Sequence, residues 1–191
     1  QAGQARSPEQ AAYAIRVMKA LGVRTVLLAE PAWALSPSWA EGDLMSVTDH
    51  INALGDNPLI GPFDERLGPR FPDMSRTYSP ELLERAARRR GVRLRRGVYL
   101  ASRGAFPGSA DDCRVYRRLG ADAFGPGIVP AALAARQAGL RTVAVAVVAR
   151  RDTAGSGAVG TMLETARRAT PALSDIIHSF IQTSSGYSDY S

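Results

Sequence analysis

Lysine is all but missing from this chain of 191 residues: Lys19 is the only one, and the formal charge of +6 is carried almost wholly by arginine. Such a bias fits codon usage in a GC-rich genome as well as it fits chemistry, so basicity alone does not point to an acidic partner. Cysteine occurs once, as Cys113, which excludes an intrachain disulfide, fits a reducing compartment and is expected to be a small buried hydrophobe. No apolar run approaches the roughly 18 residues of a membrane-spanning helix. No cleavable leader pattern is expected and no internal repeat is visible, so a cytoplasmic protein is the default. The first residue is Gln1 and not methionine, which leaves room for residues upstream.

What is present is enough apolar side chain, 45% of residues, for one buried core. One globular domain is expected over 1–182, with a polar tail over 183–191. The densest basic run, "RAARRRGVRLRR" (Arg85 to Arg96), lacks interleaved aromatics and follows a helix beginning at Ser79-Pro80. Its cations suit the negative end of that helix, so it reads as a solvated helix end, with neither nucleic acid nor membrane as partner.

Ser7-Pro8-Glu9-Gln10 has the form of a capping box with proline at the first helical position, so a helix is expected to run to about Leu21 and stop at Gly22. "RTVLLAE" (Arg24 to Glu30) and "DLMSVTDH" (Asp43 to His50) are strand candidates, separated by a loop holding Pro31, Trp33 and Trp39. Residues 57–80 are dense in proline and glycine and read as a surface excursion whose Phe63, Leu67, Phe71, Met74 and Tyr78 pack on the body. A helix from Ser79 to Arg90 leads into strand Gly97 to Arg103, helix Ser109 to Leu119 and strand Ala121 to Phe124. Helix Pro130 to Ala138 and strand Leu140 to Ala149 follow. This alternation predicts a parallel-type sheet covered on both faces. Helical periodicity returns from Val159 to Gln182, with Thr170-Pro171 marking a kink or restart.

The stretch "GDLMSVTDHINALGDNPLIGPFDERLGPRFPDMSRTYSPELL" (Gly42 to Leu83) closely resembles the middle of trimeric purine nucleoside phosphorylases. The similarity continues through "RRGVYL" (Arg95 to Leu100), "RRLGADAFG" (Arg117 to Gly125) and "VPAALAARQAGLRT" (Val129 to Thr142). The resemblance implies an α/β fold with a mixed, partly barrel-like sheet flanked by helices, assembled as a homotrimer. It also implies phosphate attack on the anomeric carbon of a purine nucleoside. No counterpart of the family's first third, with its phosphate-binding Ser loop, Arg and His, precedes Gln1, so a start truncated relative to the family is expected.

Most of the positions that the resemblance makes catalytic have changed. The family's Asn-Ala-Ala-Gly-Gly loop, which offers backbone N–H groups to phosphate and ribose, aligns with Glu30, Pro31, Ala32, Trp33 and Ala34. Proline removes a donor, tryptophan fills space and the carboxylate repels an anion. Gly-Pro-Ser-Phe-Glu-Thr aligns with Gly104 to Ser109, leaving Phe106 and Pro107 but no carboxylate. Gly-Met-Ser-Thr has become Gly125, Pro126, Gly127 and Ile128, and the purine-side Asn is Arg150. The phenylalanine lent by a neighbouring subunit is Leu67. Tyr99, at the family's ribose-side tyrosine, is kept, and His50 reads as a packing histidine.

Several lost transition-state contacts, each worth about 10²–10³ in rate, argue against phosphorolysis. The expected pocket is apolar, lined by Trp33, Phe106, Pro107, Phe124, Pro126, Ile128, Leu67 and Arg103, with Tyr99, Glu30 and Arg150 as catalytic candidates. It suits an apolar small molecule, and the chemistry that asks least of side chains is an intramolecular ring closure or cycloaddition of a polyene or polyketide, with no cofactor and no metal. A cyclase of bacterial specialised metabolism is therefore the leading expectation. A non-catalytic subunit and a purine nucleoside phosphorylase are its alternatives.

Overall fold

Helix α1 (Pro8–Ala20) begins as the sequence predicts, because Ser7 Oγ accepts from the Gln10 amide while the Gln10 side chain accepts from the Ser7 amide. Gly22, at φ 85°, takes the left-handed conformation that ends it. The computed structural model describes residues 7–62, 64–103, 108–151 and 159–184, with backbone alone at 150–151, 159–163 and 183–184.

Among the described residues five strands follow: β1 (Thr25–Ala34), β2 (Leu44–Ala53), β3 (Leu94–Ser102), β4 (Ala123–Gly125) and β5 (Arg141–Arg151). They close into a barrel in the order β1-β4-β3-β2-β5. The sheet is mixed, as the family resemblance implies and not as the alternation alone suggests. The β1/β5, β2/β3 and β3/β4 pairs are parallel, whereas β1/β4 and β2/β5 are antiparallel.

The expected tryptophan loop is a correction. Glu30, Pro31, Ala32, Trp33 and Ala34 continue β1, in register with β5 from Thr25↔Arg141 to Ala34↔Arg151, with a bulge after Ala32. Among the described residues β4 meets β1 only at Trp33 and Ala34, so Pro31 lies where the other edge carries no strand, a setting in which sheets tolerate proline.

Helices α2 (Pro80–Arg89), α3 (Ala110–Arg118), α4 (Ile128–Gln137) and α5 (Val159–Ser184) flank the barrel. Inside it, Ala32, Ala34, Met45, Val47, Tyr99, Ala101, Ala123, Ala144, Ala146 and Val148 pack with Ile128, Val129 and Leu133 of α4. On the outer side α2 and α5 cover Val143, Val145 and Val147, whereas α1 and α4 cover Val26 on the face of β1 that continues into the barrel core. Pro171 lies within α5, which runs on through it.

The 57–80 excursion packs less completely than its apolar residues suggest. Tyr78 is buried and Met74 rests on the core, but Phe71 is 90% exposed. Phe63 lies outside the described residues. The basic run is solvated as expected, with Arg96 and Arg88 both reaching Glu84, at 2.8 and 3.9 Å. Cys113 is a buried free thiol. Among the described residues no helix is long and apolar enough to cross a membrane.

Candidate functional site

The alternation of β1 decides which of its residues can meet. Val26, Leu28, Glu30, Ala32 and Ala34 share one face, and the first two lie under α1 and α4 while the last two enter the barrel core. Glu30 falls between these groups, at the N-terminus of α4. Its Oε1 accepts from the amides of Gly127 (3.1 Å) and Ile128 (3.3 Å) and from the hydroxyl of Tyr99. A carboxylate there satisfies two helix-end donors and faces the positive end of the α4 dipole.

This non-local cap explains why α4 starts at Ile128, two residues before the start that the sequence predicts. It also explains the two glycines. A Cβ on Gly125 would overlap the Tyr99 hydroxyl, and one on Gly127 would overlap Glu30 Oε2. Only glycine lets the carboxyl approach this closely.

Glu30 as a residue is half-buried, but its carboxyl is enclosed enough that burial pushes its pKa up to about 7, against the lowering effect of the Gly127 and Ile128 amides. Tyr99, on β3, is completely buried. Tyr78 is buried nearby, and burial together with the charges of Asp49 and Glu30 raises its pKa. His50 is a packing histidine, as expected: its Nδ1 lies 3.0 Å from the Tyr78 hydroxyl, the rings meet edge to face, and burial lowers its pKa.

Beside Glu30 opens a cavity of about 410 Å³. Its walls are Ala11, Ala14, Ile15 and Met18 of α1, Leu27 to Ala29 of β1, and Pro126 to Ile128, Pro130 and Ala131 at the start of α4. Glu30 is the only titratable side chain among them. The α1 wall was missed in the sequence, although the spacing 11, 14, 15, 18 is that of one helix face.

The structure therefore brings together Glu30, Tyr99, Pro126 and Ile128, and it separates the others. Trp33 and Phe124 are corrections: they are cross-strand neighbours with ring centroids 5.9 Å apart, buried with Leu35, Leu100 and Cys113 on the outer, α3 side of the sheet. Leu67 lies in a short 3₁₀ turn (Glu65–Leu67), and the next residue, Gly68, sits against the Gln137 carbonyl. That is the C-terminal end of α4, about 15 Å of helix away from Glu30, so Leu67 does not line this cavity. Arg103 is half exposed and pairs with Asp56 at 2.5 Å. Arg150 sits opposite Trp33 at the end of β5. Phe106 and Pro107 lie outside the described residues. Among the described residues no three His, Cys, Asp or Glu side chains converge in a metal-binding group.

Comparison with known proteins gives this geometry a context. The sequence pattern of the Phosphorylase superfamily matches residues 3–182. Purine nucleoside phosphorylase 1 of Geobacillus stearothermophilus is 41% identical over 143 residues, 73% of this chain and 52% of that protein. The purine nucleoside phosphorylase of Bos taurus is 36% identical over 147 residues, covering 73% and 51%. The chain thus spans about half the length of these curated relatives. A solved Schistosoma purine nucleoside phosphorylase in complex with guanosine superposes with TM-score 0.87 at 27% identity, covering 92% of this chain and 68% of that one. One from Schistosoma mansoni in complex with inosine gives 0.87 at 27%, covering 92% and 67%.

These findings overturn the cyclase reading and the apolar substrate that went with it. The relatives carry the name of a nucleoside phosphorylase, and the solved neighbours hold polar nucleosides, whereas nothing among them points to a polyketide. Part of the ground for that reading, Trp33 and Phe124 as pocket walls, is outer core. With both the fold and the sequence in agreement, the chain belongs to the phosphorylase superfamily and is related to the purine nucleoside phosphorylases.

Proposed function

We propose that this protein binds a purine nucleoside in the cavity beside Glu30 and cleaves its N-glycosidic bond, with phosphate as the acceptor that the relatives' name specifies. The observation that carries this reading is the carboxyl of Glu30, fixed by Tyr99 and two amides at the wall of a cavity of about 410 Å³, in a chain 41% identical to a purine nucleoside phosphorylase. Such a volume suits a small ligand. In this reading Tyr99 and Glu30 are the working pair, and Pro126 and Ile128 shape the wall. One domain over 1–182, a homotrimeric assembly and a cytoplasmic location belong to the same proposal.

The experiment is an assay of the purified protein with inosine and guanosine at saturating phosphate. Release of hypoxanthine and guanine with formation of ribose 1-phosphate is the expected result. Thermal stabilisation by guanosine without turnover would indicate a non-catalytic subunit, and neither turnover nor stabilisation would overturn the reading.

A further inference from the structure

Two buried phenols meet two acid–base groups at one end of the barrel. Tyr99 donates to Glu30 Oε1, and the Tyr78 hydroxyl lies 3.0 Å from Nδ1 of His50. The first pair belongs to the candidate site, whereas the proposed cleavage makes no use of the second.

Strand register brings the two pairs together. His50 on β2 is the partner of Tyr99 on β3, and the next partners, Ile51 and Leu100, pack on the outer, α3 side of the sheet. By alternation His50 and Tyr99 share the face that looks into the barrel. On its other side Tyr99 is the partner of Ala123 in β4. A methyl flanks the ring on one side and an imidazole on the other, so the lateral support comes from His50.

His50 is itself braced. The Tyr78 ring stands edge to face against it, with centroids 5.6 Å apart, and belongs to the same core cluster as Tyr99. Tyr78 is tied down on both sides, because Thr77 Oγ1 donates to the Met74 carbonyl and the Ser79 amide donates to the Thr142 carbonyl of β5. The charges that reach Tyr78 are those of Asp49 and Glu30, which places it within electrostatic range of the site carboxyl. Burial favours the neutral imidazole at His50, against the opposing charge of Asp49.

We propose that the Tyr78–His50 pair positions the Tyr99–Glu30 pair: it fixes the Tyr99 ring from the β2 side, and with it the Glu30 carboxyl, without touching the ligand. The proposal rests on the reading of the cavity as a purine nucleoside site. Residues of this kind act on the chemical step more than on binding, because a misplacement of about 1 Å can cost about 10²-fold in rate.

The test uses Tyr78→Phe, which removes one oxygen and keeps the ring, His50→Leu, which removes the imidazole, their double variant, and His50→Asn, which keeps a polar atom near the place of Nδ1. On each, kcat and KM for inosine are measured at saturating phosphate, and the Glu30 carboxyl carbon is titrated by ¹³C NMR. Tyr78→Phe and His50→Leu should each lower kcat by about tenfold, leave KM within about threefold and displace the Glu30 midpoint. The double variant should lose no more than the worse single one, as residues acting as a unit do, and His50→Asn should keep most of the wild-type kcat. An unchanged kcat in Tyr78→Phe, additive losses in the double variant, or a lower kcat with the Glu30 midpoint unmoved overturns the positioning role. If His50→Leu fails to fold, Tyr78→Phe decides by its kcat and its midpoint. No base release by the wild type overturns the nucleoside reading, and the Glu30 midpoint in Tyr78→Phe then still decides whether the pair holds the carboxyl.

Discussion

The Tyr99 hydroxyl donates to Oε1 of Glu30, linking β3 to β1 across the barrel beside the N-terminus of α4, although β4 lies between those strands in the sheet. A single hydrogen bond between buried groups usually contributes about 1 kcal/mol net, but orphaning one partner costs about 1–3 kcal/mol. Tyr99→Phe should therefore cost about 1–2 kcal/mol in urea unfolding and lower nucleoside cleavage, because Oε1 loses one of its three donors. Unchanged stability and activity would show that the contact does not matter.

Glu30 makes stability depend on pH in an unusual direction. In the unfolded chain its carboxyl releases its proton near the ordinary 4.5, whereas in the folded protein it holds the proton to about 7. Between those values the folded state binds more protons, so this group's contribution falls as pH rises from about 4.5 to about 7 and is level above that. The span is on the order of 3 kcal/mol. Denaturant titrations across this window should show a decline in the wild type that Glu30→Gln removes; parallel curves would contradict the assignment.

Gly127→Ala and Gly125→Ala should each destabilise the fold by about 1–3 kcal/mol, since the added methyl overlaps Glu30 Oε2 in one case and the Tyr99 hydroxyl in the other. Thermal melts check this directly. Melting temperatures equal to the wild type would mean that the carboxyl is not seated between these glycines.

Ala14→Phe places a ring from α1 into the cavity. It should weaken guanosine binding by more than tenfold while changing stability little, because Ala14 is only half-buried. By contrast, Trp33→Ala should cost about 3–5 kcal/mol as a core deletion and leave guanosine affinity unchanged in the folded fraction. Calorimetry on the two variants separates wall from core.

Much of the fold was legible because local chemistry wrote it: the Ser7–Gln10 box, the stop at Gly22 and the long middle motif from Gly42 to Leu83 each depend on near neighbours in sequence. The start of α4 was not legible, since its cap, Glu30, lies 97 residues before Gly127 and the two prolines around it read as loop. The extent of β1 was hidden by Pro31, whose acceptability depends on the other edge of the strand lacking a partner. Once β1 is known to reach Ala34, alternation puts Glu30 and Trp33 on opposite faces. Assigning both to one pocket followed the alignment and ignored that period. Glu30 and Tyr99 were found as separate candidates, but their contact across the barrel is a property of the closed sheet.

The central claim is that the Glu30 carboxyl sits protonatable near neutrality and faces a purine nucleoside. The most direct measurement is the pH titration of its carboxyl carbon by ¹³C NMR, assigned by its loss in Glu30→Gln, with and without guanosine. Titration near pH 7 that moves when guanosine is added is the predicted result. Titration near the ordinary 4.5, indifferent to guanosine, would contradict it.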